Sequence, residues 1–390
     1  MGNWVRKSLG ELTSYMAKGI APKYVEVEGS GTIRVLNQKC NRNYEISYAD
    51  SRIHDLTAKG VAAEKMVSAG DVLINSTGMG TAGRVAQIWD IPTPTTIDGH
   101  MILLRPTAEI LPLYFGYAIK SFQKQIEELA EGSTGQTEIN RNRLRNEIVI
   151  TFPVDLGEQI KIGRLLADLD GKIKNNETIN NNLEQQAKSI YASMFLDNPC
   201  EDWHQGVLSD IAEITMGQSP SGSSYNEDGT GTVFFQGRAE FGFRFPTIRL
   251  YTTEPKRMAR KNDVLMSVRA PVGDLNVAHE DCCIGRGLGA IHSKDNHQSF
   301  VLYTLFSLRK ELDVFNGEGT VFGSINRDAL NSMPIRIPPK EMLDEFEALV
   351  APMDAIILNN HDENCRLASV RDNLLPRLMS GELDVSSIDL

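Results

Sequence analysis

The sequence has little with which to build a disulfide framework, a membrane span or a nucleotide cradle. Its five cysteines (Cys40, Cys200, Cys282, Cys283 and Cys365) are an odd, scattered set without a CxxC pair. That excludes a paired framework and predicts reduced thiols in a cytoplasmic protein. No apolar run approaches the roughly 20 residues of a transmembrane helix, so no membrane is expected as a partner. The N-terminal MGNWVRKSLGELTSY has no signal-peptide apolar stretch, and Arg6 stands where a myristoylation motif has Ser or Thr. Enzyme signatures are equally scarce. GMGTAGR (78–84) has glycines but no GKS or GKT, so it is no P-loop. IPPK (337–340) lacks the Asn and the aromatic residue of an NPPY-like methyltransferase tetrapeptide. HEDCC (279–283) gathers potential ligands without the second spaced pair that a zinc site needs, so no metal is expected.

A strongly basic field is also missing. The 390 residues carry a net charge of −11, which opposes nucleic-acid binding by the chain as a whole. The charge is unevenly placed. Residues 1–152 sum to +1, 153–200 to −2, 201–337 to −3 and 338–390 to −7. Two long stretches are therefore close to neutral, and a local phosphate-binding face remains open to them.

What the chain does have, it has twice. WVRKSLGEL (4–12) matches WHQGVLSDI (203–211), AGDVLINS (69–76) matches KNDVLMSV (261–268), and EINRNRLRNEIVITFP (138–153) matches SINRDALNSMPIRIPP (324–339). Short β-branched runs bounded by Gly, Asn and Pro predict strands, among them IRVLN (33–37), DVLI, DVLM, IVITF and PIRIP. LPLYFGYAIKSFQKQIEEL (111–129) and SFVLYTLFSLRKELDVF (299–315) predict amphipathic helices. Each half reads as an α+β block followed by a long helix, with expected boundaries 1–153, 154–200, 201–338 and 339–390.

The long helices carry an unusual seam. Steps of four and three residues align Ile162, Leu166, Leu169, Ile173, Asn176, Asn180, Leu183, Ala187, Ile190 and Met194. At an offset of 184 the second copy aligns Phe346, Val350, Met353, Ile357, Asn360, Asn364, Leu367, Arg371, Leu374 and Leu378. Such a narrow stripe needs a partner helix, and the simplest partner is the other copy, run antiparallel about a pseudo-twofold axis. Asparagines in a seam cost stability against Leu but fix register, because misaligned amides go unsatisfied. The alternative is that they lie off the seam in water. Pro352 and Pro376 are expected to begin, kink or end the second helix. Helices over 158–196 and 353–375 would measure roughly 58 Å and 35 Å at ~1.5 Å per residue. That is commensurate with about 10–17 base pairs, the separation of half-sites in spaced DNA readers.

Several stretches together give the chain a family likeness: GQSPSGSSYNEDGTGTVFFQG (217–237), DVLMSVRAPVGDLNVA (263–278) with CIGRGLGAI (283–291), the duplicated INRNRL and INRDAL, and the ending LLPRLMSGEL (374–383). Over essentially its full length the sequence resembles the specificity subunit of type I restriction–modification systems. The resemblance implies two target-recognition domains, each reading one half of an asymmetric bipartite DNA target, separated by two antiparallel helices that set the spacer. It implies a subunit without chemistry or cofactor of its own. Methylation subunits would supply S-adenosylmethionine-dependent adenine methylation, and restriction subunits would use ATP and Mg. The acidity of the helices fits contact with such partners better than with double-stranded DNA, so the isolated chain is expected to bind DNA poorly. A two-repeat protein–protein adaptor without a DNA role is the competing expectation, and a hydrolase or transferase with scattered site residues a third.

Base-edge readout uses Arg, Asn, Gln, Ser and Thr on exposed loops, where neighbouring glycines allow close backbone approach. In the first block the candidates are Thr77, Thr81, Arg84, Thr134, Gln136, Arg141 and Arg143. The second offers Gln218, Ser219, Ser221, Gln236, Arg238, Lys256, Arg257, Arg269, Arg286, Thr320 and Arg327. For each, ordinary surface or turn chemistry is the competing reading, and for Arg269 and Arg286 a structural pairing with Asp263 or Asp274.

Overall fold

The computed structural model describes residues 3–132, 137–197, 199–200, 202–317 and 323–385. The chain forms two compact units, residues 1–173 with 365–390 and residues 174–364. Each unit joins one α+β block to part of both long helices.

In the first unit an antiparallel sheet runs in the order Thr13–Lys18, Met101–Pro106, Val72–Asn75, Val85–Gln87. The strand period of two decides what each face covers. Val72, Ile74, Ile102 and Leu104 face a core shared with the helix Pro112–Ser121, while Leu73, Met101 and Leu103 face a core shared with Leu36 and Ile97 of a second sheet. That second sheet is ordered Thr95–Ile97, Thr32–Leu36, Arg52–Asp55, Tyr24–Val25. The other unit repeats the plan. Its first sheet is ordered Ala212–Met216, Leu288–Ser293, Val264–Ser267, Leu275–Val277, with Val264 and Met266 on one core and Leu265 on the other. The matching motifs of the sequence also pair alike, Trp4–Ser8 with Val149–Pro153 and His204–Val207 with Pro334–Ile337.

The two amphipathic stretches differ from expectation, since each is broken once. Pro112–Ser121 and Gln123–Glu128 are separated at Phe122 (φ −93°, ψ 2°), and Gln298–Ser307 and Arg309–Asp313 at Leu308 (φ −81°, ψ 11°). Both breaks let the following short helix turn back onto the core with Ile126 or Leu312 buried.

The long helices are Leu156–Tyr191, ending in π-type turns over Ala192–Leu196, and Lys340–Met379. The second is longer than the sequence pattern implied, and neither Pro352 nor Pro376 ends it. Pro352 is exposed, and the carbonyl that its missing N–H would have met belongs to the exposed Ala348, where water can serve it. The seam faces inward at its centre. Asn176 is 1% and Asn180 5% exposed. Asn176 Nδ2 donates to Asn364 Oδ1 (2.9 Å) and to Glu363 Oε2 (2.7 Å). Asn360 Nδ2 donates to Asn180 Oδ1 (2.8 Å), and Asn180 Nδ2 to the Ile357 carbonyl (3.3 Å). Under the offset of 184, the pair 176·364 becomes the pair 360·180, so the antiparallel crossing is locally twofold about positions 178 and 362. Outward from there the stripe leaves pure helix–helix contact. Ile162 and Leu166 join the first block's core. Phe346 and Val350 join the second's, where Phe346 lies 5.7 Å from the Tyr191 ring and 5.3 Å from Phe195. Leu169, Ile173, Leu183, Ile190, Met353, Leu367 and Leu374 are half-buried along the same stripe.

Each block is tied to the helices by an equivalent carboxylate that the seam pattern did not show. Asp170 accepts from Tyr117 Oη (2.8 Å), Lys120 Nζ (3.2 Å) and Arg371 Nη1 (2.6 Å). Burial opposes its ionisation, but Lys120, Arg371 and Tyr117 outweigh that and hold its pKa below the ordinary value. Asp354, 184 residues on, accepts from Arg244 Nη1 (2.9 Å), Tyr303 Oη (3.0 Å) and Ser299 Oγ (2.8 Å). Arg244 reaches across to Glu184 as well (2.9 Å) with its side chain 4% exposed.

His361, half-buried beside the Asn seam, has the Phe245 ring at 4.8 Å and the His279 ring at 5.8 Å, while His279 bonds Asp362 (2.7 Å). Burial, and then the His279 charge, push its pKa below the ordinary 6.5, against the pull of Asp362. Unfolded, this imidazole takes a proton near pH 6.5; folded, it resists. Its contribution to stability is therefore fully present above that pH and is lost as the pH falls below it. His361→Gln is expected to flatten that part of the stability profile. Urea midpoints for both proteins between about pH 7.5 and 5.5 check it, and parallel curves would refute it.

Candidate nucleic-acid interface

At one edge of each block, ends of both sheets converge through the same set of backbone hydrogen bonds. In the first block Gly19 N–H donates to Met101 O (3.2 Å), Ile20 to Ile97 (2.9 Å), Asp98 to Leu36 (2.9 Å), Ser76 to His100 (2.8 Å) and Ile139 to Ser76 (2.7 Å). In the second, Gly217 donates to Leu288 (2.9 Å), Gln218 to Ile284 (2.9 Å), Gly285 to Phe235 (2.8 Å), Val268 to Gly287 (2.9 Å) and Ile325 to Val268 (3.0 Å). The approach is so close that a Cβ on Gly19 would meet Ile97 O at 2.0 Å, and one on Gly217 would meet Gly285 O at 2.1 Å. These bonds define equivalent positions. Thr77 corresponds to Arg269, Asp98-Gly99-His100 to Gly285-Arg286-Gly287, and Asn37-Gln38-Lys39 to Gln236-Gly237-Arg238. The scaffold is repeated while the side chains on it are not.

In the second block this edge gathers most of the residues expected from sequence. Gln218, Ser219, Gln236, Arg269 and Arg286 stand on the converging segments. Arg257, whose carbonyl accepts from Ile284 N (2.9 Å), and Lys256 lie on the adjoining one. Arg327 begins the short helix Arg327–Asn331, capped by Asn326 Oδ1, just after Ile325. Gln218, Gln236, Lys256, Arg257, Arg269, Arg286 and Arg327 are exposed, and their side chains make no hydrogen bond or ion pair among the described residues. Ser219 Oγ accepts from Arg286 N (3.3 Å), and Ser221 Oγ pairs with Ser223 (2.8 Å). Arg238 is paired with Asp274 (2.5 Å). The structural pairings considered for Arg269 and Arg286 are not formed, because Asp263 is taken by His292 (2.6 Å) and Asp274 by Arg238 and Arg309. Thr320 lies outside the described residues.

The first block's expected residues are more dispersed in role. Thr77 Oγ1 bonds His100 Nδ1 (2.8 Å) at the edge itself. Thr81 donates to Thr77 O (3.3 Å), and Arg84 folds back onto Gly80 O (3.0 Å), so both stabilise their own loop. Arg143 is occupied by Glu131 and Glu147 (2.6 Å each). Arg141 is exposed, at the position equivalent to Arg327. Thr134 and Gln136 lie outside the described residues. Sequence reasoning missed a cleft of about 330 Å³ lined by Tyr24, Asn37, Gln38, Lys39, Asp50, Arg52, Asp98 and His100. Arg52 stacks on Tyr24 (3.4 Å), and Asp98 accepts from His100 N (2.9 Å). Burial raises the Asp98 pKa, opposed by that hydrogen bond and by the charges of His100 and Arg52. The available signal was the alignment of DGHMILL (98–104) with GRGLGAI (285–291), which carries the exposed Arg286 into the first block.

Donors and acceptors on loops at a sheet edge can read a polar surface such as base edges and phosphates. No helix of the described residues is long and apolar enough to cross a membrane. The family model described as the type I restriction modification DNA specificity domain matches residues 1–185 and again 200–367. The putative type I restriction enzyme MjaX specificity subunit of Methanocaldococcus jannaschii is 31% identical over 358 residues, 86% of this chain and 83% of the relative. The MjaIX specificity subunit of the same organism is 24% identical over 418 residues, covering 98% and 93%. The crystal structure of a type I restriction–modification S subunit from M. genitalium shares the fold, with a TM-score of 0.61 at 17% identity over 97% of this chain and 96% of that one.

Proposed function

We propose that this chain, which belongs to the family of type I restriction–modification specificity subunits, reads an asymmetric bipartite DNA target with one half assigned to each block. Its role in the complex is DNA sequence recognition, not catalysis. The observation that carries the bipartite reading is the duplicated edge: one backbone scaffold, used twice, bearing unlike side chains. Two identical edges would favour a symmetric target; two unlike ones favour unlike halves.

On this reading the antiparallel helix pair, whose second helix carries eight Asp and Glu against four Lys and Arg, sets the spacer between half-sites and receives methylation and restriction subunits. S-adenosylmethionine, ATP and Mg belong to those partners. The chain contributes the base-reading groups, and its near-neutral blocks leave much of the phosphate neutralisation to the assembled complex. An adaptor with no DNA role fits poorly with two matches to a DNA specificity domain.

The test is single-molecule methylation sequencing of DNA from cells expressing this chain with its cognate methylation subunit. An asymmetric bipartite adenine motif, lost when the chain is omitted, is the expected result. A motif that persists without the chain would overturn the proposal.

A further inference from the structure

From the equivalence of the two edges we infer that the first half-site is read in the cleft beside His100, with Gln38 and His100 as the base-reading side chains and Lys39 and Arg52 as the backbone contacts. This rests on the DNA-recognition reading above. It moves the first block's specificity away from Arg84 and Arg143, whose side chains are bound within their own surroundings.

The second block shows which part of the scaffold is left for a ligand. There Arg286 stands exposed on a glycine-flanked turn, packed so tightly that Cβ atoms on Gly285 and Gly287 would each lie 2.8 Å from the Gln236 carbonyl. In the first block the equivalent turn is Asp98-Gly99-His100, and the segment packed against it is Asn37-Gln38-Lys39. Glycine replaces the exposed arginine, and the flanking positions carry side chains instead. The reading groups are thus shifted by one position on either side of the same turn, which opens a cleft where the second block has a projecting side chain.

The cleft is chemically suited to a base edge that offers both a donor and an acceptor. Asn37 is consumed structurally, its Oδ1 capping Lys39 N (2.9 Å) and its Nδ2 bonding the Asp50 carbonyl (2.7 Å). That pair holds the 38–39 backbone in place. The Gln38 Oε1 touches Thr77 Oγ1 at only 3.4 Å, and its Nε2 makes no bond among the described residues. A glutamine amide held at one end presents an acceptor and a donor side by side, the match for adenine in the major groove. His100 is tied through Nδ1 to Thr77 (2.8 Å), which orients the exposed ring and leaves Nε2 for a second contact. Lys39 and Arg52, both exposed at the rim, supply positive charge where a phosphate would pass.

The experiment uses the complex of the full chain with its cognate methylation subunits and two libraries of target duplexes, each randomised in one half-site. Gln38→Ala is expected to reduce discrimination at one or two positions of one half-site by about 5- to 150-fold, the range of a lost bidentate base contact. The other half-site should be read as before. Arg286→Ala should give the complementary result, and the isosteric Gln38→Glu should change the preferred base at the same positions. Unchanged preferences in both halves, or an equal loss in both as expected of a folding defect, would overturn the inference. A wild-type complex with no sequence preference in either library would instead overturn the DNA-recognition reading itself.

Discussion

Replacing Arg244 with alanine is expected to lower the stability of the unit formed by residues 174–364 by about 3–5 kcal/mol, the cost of leaving buried charges without their partner. Arg244 is the shared cation of two carboxylates on different helices, Glu184 and Asp354, at 2.9 Å each. Glu184 is 9% and Asp354 22% exposed at the side chain, so water can compensate neither fully. Lys188 (2.5 Å) would still neutralise part of Glu184, whereas Asp354 would keep, among the described residues, the neutral donors Tyr303 and Ser299. Arg371→Ala provides the contrast. Asp170 is 31% exposed and would retain Lys120 and Tyr117, so about 1–2 kcal/mol is expected there. Denaturant unfolding of the full-length variants measures both. Equal losses for the two would refute the argument, which rests on how much charge each substitution strands.

That interaction illustrates which features the sequence made legible. The Asn seam and the repeat follow local rules: a 3.5-residue period in one case, and strings matching in the same order, at an offset that shrinks from 199 to 184, in the other. Asp354 and Arg244 are 110 residues apart and obey no local rule, so neither periodicity nor motif pairs them. The same holds for the first block's cleft. Gln38 and His100 become neighbours only because Asp98 N–H reaches the Leu36 carbonyl across a parallel strand pair. In the second block the exposed candidates were legible because they project individually from glycine-rich turns, GQS and GRG. The first block builds its cleft from ordinary-looking NQK and DGH. Pro352 is a different case: the helix runs through it, and its exposed position lets water serve the Ala348 carbonyl that loses its partner.

Inserting four residues into each long helix is expected to lengthen the spacer of the recognised target by one to two base pairs and leave both half-sites unchanged. The insertion points follow from the pairing. Asp170 bonds Arg371 and Asn176 bonds Asn364, so Ile173 and Leu367 stand at the same level of the antiparallel pair. Additions after both would keep the Asp170 cluster on one side and both Asn pairs on the other. Four residues form a stutter, which converts the local seven-residue period to eleven, and coiled coils accommodate it. They add ~6 Å and, at ~100° per residue, about 40° of rotation. One to two base pairs add roughly 3.4–6.8 Å and about 35–70°, so rise and phase remain roughly matched. Seven residues separate the alternatives. They add ~10.5 Å, close to three base pairs, but return almost to the starting phase, while three base pairs turn the duplex by about 100°. The longer insertion preserves the seam better and should nevertheless methylate its DNA less. Methylation sequencing of both variants decides the matter: an unchanged spacer in the four-residue variant, or a seven-residue variant as active as wild type, would show that the helix pair does not measure the DNA.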